Sequence, residues 1–75
     1  MQQTFIKTPS GEFINANTVT LVEVEELSPE HHYAVIVHTA QKTFCYAGED
    51  TREDAEATAQ YLLESLGYRV IHCLA

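Results

Sequence analysis

Through residues 3–47 the apolar positions fall in short runs that alternate with polar ones, and from residue 51 their spacing lengthens to a helical one. "TFIKTPSGEFIN" predicts a hairpin with strands at 3–8 and 12–15. Pro9 sets φ for the second turn position, and Ser10-Gly11 supply turn chemistry. "NANT" at 15–18 breaks the alternation and reads as a bend or a single helical turn. In "VTLVEVEEL", 19–27, Val22 and Val24 point one way while Glu23 and Glu25 point the other, the signature of a half-buried strand. "SPEHH", 28–32, is a polar loop broken by Pro29. "YAVIVHTA", 33–40, is apolar on both faces for five residues and belongs at the centre of a sheet. "AQKT" supplies a turn, and "TFCYA", 43–47, completes a second hairpin.

The helical segment is 51–66. Asp50 or Thr51 can cap it, with Glu53 or Asp54 at the capping-box spacing. Ala55, Ala59, Leu62 and Leu66 form one apolar stripe with Leu63 beside it, and Glu53, Ala57, Gln60 and Glu64 lie opposite. Gly67 suits the left-handed position that ends a helix. "YRVIHCL", 68–74, predicts a final strand, poorly guarded as a sheet edge because Arg69 is its only charge. The expected order is β-β-β-β-β-α-β. This is a single α+β domain over 1–75: a mainly antiparallel sheet of five to six short strands, with the helix packed on one face.

Length and composition narrow this picture. The chain has 75 residues, 45% of them apolar, which fits one globular domain. A chain this short buries only about 60% of its unfolded surface, so a partner subunit, disulfide or metal would help it. No stretch has the length of a signal-peptide core or a membrane span, which predicts a cytoplasmic protein that makes no membrane contact. The two cysteines, Cys45 and Cys73, read as reduced thiols packed as small hydrophobes, or as a disulfide if their strands are neighbours.

The net charge is −7, and nine of the eleven acids fall in two segments: Glu23, Glu25, Glu26 and Glu30, then Glu49, Asp50, Glu53, Asp54 and Glu56. Direct binding to nucleic acid is excluded on this reading, because phosphate contacts need clustered Lys and Arg. Docking on a basic surface of another protein is permitted.

Candidate metal ligands are His31, His32, His38, His72, Cys45 and Cys73, but no CxxC, HxxxH or HExxH spacing occurs. His72 and Cys73 are adjacent in a predicted strand and point to opposite faces. Cys45 and His38 could meet across a hairpin as a thiol–imidazole pair, yet no Gly-rich loop supplies an oxyanion site. No phosphate-binding loop is present, and the one helix N-terminus is ringed by carboxylates that repel anions, so no cofactor is expected. The paired carboxylates Glu49-Asp50 and Glu53-Asp54 sit on a solvated first turn whose dipole favours their charged form. That suits them to start a helix, not to donate protons.

The sequence therefore points to a non-enzymatic protein-binding module. It would be an inhibitor or adaptor, of a kind phages encode, docking Glu23, Glu25, Glu26, Glu49, Asp50, Glu53 and Asp54 on a basic partner surface. Two alternatives stand beside it: a homodimer formed through the sheet, and a metal-binding or thiol-redox protein using Cys45 and Cys73.

Overall fold

The computed structural model describes residues 2–27 and 32–73. Glu30, His31 and most of the 28–32 loop, and Leu74 of the expected last strand, lie outside the described residues. The elements are β1 (Phe5–Lys7), β2 (Phe13–Asn15), a 3₁₀ turn at Ala16–Thr18, β3 (Val19–Glu26), β4 (Tyr33–Thr39), β5 (Thr43–Glu49) and α1 (Arg52–Ser65).

The α+β class holds, but the strands divide into two antiparallel sheets instead of one: the pair β1-β2, and the meander β3-β4-β5. Register sorts the meander into rows. On the face toward α1 run Val22–Val37–Phe44, Val24–Val35–Ala47 and Glu26–Tyr33–Glu49. On the other face run Leu21–His38–Thr43, Glu23–Ile36–Cys45 and Glu25–Ala34–Gly48. Irregularities between Val19 and Leu21, and opposite Val35–Ile36, keep this alternation in phase. β4 is central, as its two-sided apolar sequence requires, and Val35 and Val37 are fully buried. Each stabilises the fold by about 1.5–3 kcal/mol relative to exposure.

The core joins both sheets to the helix. Ile6 and Ile14 from the hairpin, Ala16 from the 3₁₀ turn, Val37, Phe44 and Leu62 form one buried cluster, with Val19, Val22 and Leu66 packed against it. Asn15 caps the turn by accepting from Asn17 N–H at 2.9 Å. The β1–β2 loop is held by Thr8, whose hydroxyl accepts from Glu12 N–H at 3.1 Å while its carbonyl accepts from Gly11 N–H at 2.9 Å.

Thr51 caps α1 from an extended backbone, its hydroxyl accepting from Asp54 N–H at 3.0 Å. At the other end Gly67 has φ +89°, its N–H reaches Glu64 O at 3.0 Å, and Tyr68 N–H reaches Leu63 O at 2.9 Å. This is a Schellman stop, and it sets the direction in which the chain leaves.

The predicted final strand is a correction: 68–73 forms no strand. The segment passes β3 on the helix side, where Val70 and His72 help line a groove with Val22 and Val24. Tyr68 is pinned there because its hydroxyl donates to Ala16 O at 2.9 Å. Among the described residues, no backbone hydrogen bond joins 69–73 to β3, so both β3 and β5 are sheet edges. A pairing here would be parallel, which is slightly less stable per residue than the antiparallel contacts β3 already has.

Candidate interaction surface

α1 packs on one face of the meander; on the other the outer-strand positions are exposed, while Ala34 in the central strand is buried. The molecule measures 42 × 32 × 17 Å, and its thin direction is the depth of a sheet and a helix. The uncovered face presents Glu23, Glu25, Thr43 and Cys45, with Leu21 half exposed at 51%.

In the row of this face nearest the β4–β5 turn, His38 joins two strands to its own. Its Nε2 lies 2.6 Å from Glu23 Oε1 and its Nδ1 2.9 Å from Thr43 Oγ1. One neutral tautomer satisfies both contacts, with Nε2–H donating to Glu23 and Nδ1 accepting from the Thr43 hydroxyl. A hydroxyl–imidazole–carboxylate chain is the arrangement that activates a nucleophile. Here it lies on open sheet surface instead of in a cleft, and it cross-links three strands. Sequence reasoning missed this contact because it joins residues on three separate strands. The shared side-chain parity of Glu23, His38 and Thr43 was its only signal.

The expected acidic residues separate into two places. Glu23 and Glu25 lie on the uncovered face. Glu26 and Glu49 end up one strand either side of Tyr33, in the last row of the helix-side face. Glu49 turns toward α1 and accepts from the Thr58 hydroxyl at 2.5 Å. Asp50, Glu53 and Asp54 follow it into the first helical turn, where Arg52 stacks 5.3 Å from the Tyr33 ring centre. The row of Glu26 and Glu49 with the helix start makes one acidic end, and Glu23 with Glu25 makes an acidic stripe around the β3 edge.

Between β3 and α1 lies an open groove of about 480 Å³, floored by Val22, Val24, Ala59 and Leu63 and rimmed by Glu56 and Gln60. The groove exists because the helix stripe is centred on Ala55 and Leu62, which are buried, while Val22 and Val24 at the sheet edge remain half exposed. Ala57 and Gln60, expected on the solvent side of the helix, therefore line the groove.

Cys45 and Cys73 are free thiols, as the favoured reading has it, but they are exposed and not packed as small hydrophobes, and the alternative disulfide is not assembled. Cys45 is on β5, one edge of the meander, whereas 68–73 passes the opposite edge. Two strand spacings, about 10 Å, already exceed the roughly 7 Å limit between Cα atoms of a disulfide. His38 faces Thr43 across the hairpin and Cys45 faces Ile36, so the thiol–imidazole pair is replaced by the contacts described above. Among the described residues no group of three or more His, Cys, Asp and Glu side chains is arranged to hold a metal ion. No helix is long and apolar enough to cross a membrane among those residues.

One carboxyl has a distinct electrostatic setting. Glu12 in the β1–β2 loop pairs with Lys42 in the β4–β5 turn and accepts from the Ser10 hydroxyl at 2.9 Å. Lys42 holds its pKa below the ordinary carboxyl range, with Ser10 assisting. The pair joins the two hairpins across the molecule. Comparison with family models, curated proteins and solved structures finds no match to this chain.

Proposed function

We propose that this chain is a non-enzymatic protein-binding module that docks on a basic surface of a partner protein. The observation that carries this reading is the acidic stripe on an uncovered sheet face: Glu23 and Glu25 stand beside exposed Leu21 with no second layer above them. Leu21, Glu23 and Glu25 follow one another along β3, and an apolar contact point beside like charges suits steering followed by contact. The acidic end formed by Glu26, Glu49, Asp50, Glu53 and Asp54 adds to the same negative field. Glu49 is partly committed to Thr58, Glu23 is partly committed to His38, and the first-turn acids also stabilise α1, so both parts of the field carry a structural role beside docking.

Capture of a basic protein on immobilised chain tests this at about 0.05 M and about 0.5 M salt, where screening lengths differ several-fold. Retention should fall at the higher salt, and fall further when Glu23 and Glu25 are changed together to Gln. Retention indifferent to both removes the reading. In the sequence the homodimer reading rests on the C-terminal run as an edge strand; since 68–73 forms no strand, it passes to the β3 edge, and light scattering at low micromolar concentration separates it from docking on a basic partner.

A further inference from the structure

We infer that the partner is held as an extended segment added to the β3 edge, and that the segment alternates apolar and basic residues. This rests on the protein-binding reading above and specifies its geometry. β3 is the longest strand, eight residues, and it is an edge. Eight residues extend about 27 Å, enough for a ladder with a segment of six to eight residues. Its two faces offer two different environments. Val22 and Val24 look into the groove with Ala59 and Leu63, while Glu23 and Glu25 look out on the uncovered face.

A strand laid beside β3 obeys the same alternation. Its side chains opposite Val22 and Val24 enter the groove, where about 480 Å³ is open, and Glu56 on the rim favours a basic flank. Its side chains opposite Glu23 and Glu25 meet carboxylates and are best matched by Lys or Arg. Main-chain hydrogen bonds hold such a segment, and the alternate pockets select it. Among the described residues no backbone hydrogen bond joins 68–73 to β3, so this segment does not occupy the β3 ladder, and Val70 and His72 line the groove together with Val22 and Val24.

Charge decides between this occupant and a second copy. β3 carries three glutamates and no Lys or Arg. Antiparallel self-pairing centred on Glu23 or Val24 sets glutamate directly opposite glutamate, which is destabilising. Every other register still lines both sides of one seam with acid.

The test uses full-length protein and two synthetic peptides, one alternating Val and Lys and one alternating Val and Glu, with amide exchange read residue by residue. The Val–Lys peptide should bind and slow exchange at 21–26 while leaving the β5 edge, 45–49, unchanged. The double variant E23K/E25K should weaken the Val–Lys peptide by about tenfold and bind the Val–Glu peptide instead. A gain of that kind cannot come from unfolding. Binding of Val–Lys without slowed exchange at 21–26 overturns strand addition but leaves the acidic docking surface standing. Failure of Val–Lys to bind at low salt overturns both. Slow exchange, in free protein of dimer mass, at the alternate amides of 21–26 that do not bond β4 assigns the edge to a second copy and overturns the proposal. An unchanged preference in E23K/E25K overturns the assigned register.

Discussion

Leu62 provides the sharpest test of the architecture. It is 4% exposed and belongs to the cluster that holds Ile6, Ile14, Ala16, Val37 and Phe44. It therefore touches the single core on which both sheets depend. Leu63, one residue on, points into the groove and is only half buried. Leu62→Ala should cost about 2–5 kcal/mol, the transfer of the lost carbons plus the cavity they leave. Leu63→Ala leaves no enclosed cavity, because its site is already open, and should cost about 1 kcal/mol. At 75 residues the whole fold is stable by roughly 4–11 kcal/mol, so Leu62→Ala removes a large part of it. Its midpoint should fall by at least about 8 °C, at the 4–8 °C per kcal/mol expected for a domain of this size. Urea titration followed by circular dichroism gives both costs, and the slope reports whether unfolding stays two-state. Equal costs at the two positions, or less than about 1 kcal/mol at Leu62, would refute the helix orientation and the shared core.

Three further outcomes follow from the same geometry. Thr51→Ala removes the acceptor of Asp54 N–H and should cost about 1 kcal/mol in a chemical melt, whereas Thr51→Ser should be nearly silent. Lys42→Met should return the Glu12 carboxyl toward its ordinary range in an NMR titration. In the unaltered protein the depressed pKa means that Glu12 favours the fold at pH values above the ordinary carboxyl range, and that this contribution fades as pH falls through the folded value. Both thiols should react with an aromatic disulfide reagent in the folded protein, and mild oxidation should give no internal Cys45–Cys73 bridge by intact mass. Such a bridge would mean that 68–73 visits the β5 edge.

What was legible in the sequence was local. The hairpin turn at Pro9–Gly11, the turn at 15–18, the central place of 33–39 and the helix with its Thr51 and Gly67 ends are set by neighbours within a few residues, and the structure reproduces them. Side-chain parity in β3 was also readable, because Val22 and Val24 alternate with glutamates. What depended on distant partners was not. Residues 68–73 have Val70 and Ile71 in a strand-like run, but a strand needs a hydrogen-bonded neighbour, and here Val70 and His72 line the groove with no backbone bond to β3. The same holds for the split into two sheets: β1 and β2 pair with each other for three residues and then contribute only Ile6 and Ile14 to the common core. Among the candidate site residues, the sequence marked both acidic segments. Only register shows that Glu23 and Glu25 share a stripe while Glu26 and Glu49 flank Tyr33.

The hydrogen bond from Tyr68 to Ala16 spans 52 positions along the chain. The β4–β5 connection is short and the helix follows β5 directly, so those parts need little loop entropy to assemble. The N-terminal hairpin has no such advantage. It reaches the core through two isoleucines, and it is tied to the rest of the fold by the surface Glu12–Lys42 pair and by the 3₁₀ turn whose carbonyl Tyr68 holds. Tyr68 thus acts as a latch between the first strand pair and the end of the helix. When the latch opens, residues 2–18 can detach as a unit while β3-β4-β5 stays paired, and protease cuts there would report the lowest rung of the protein's opening reactions.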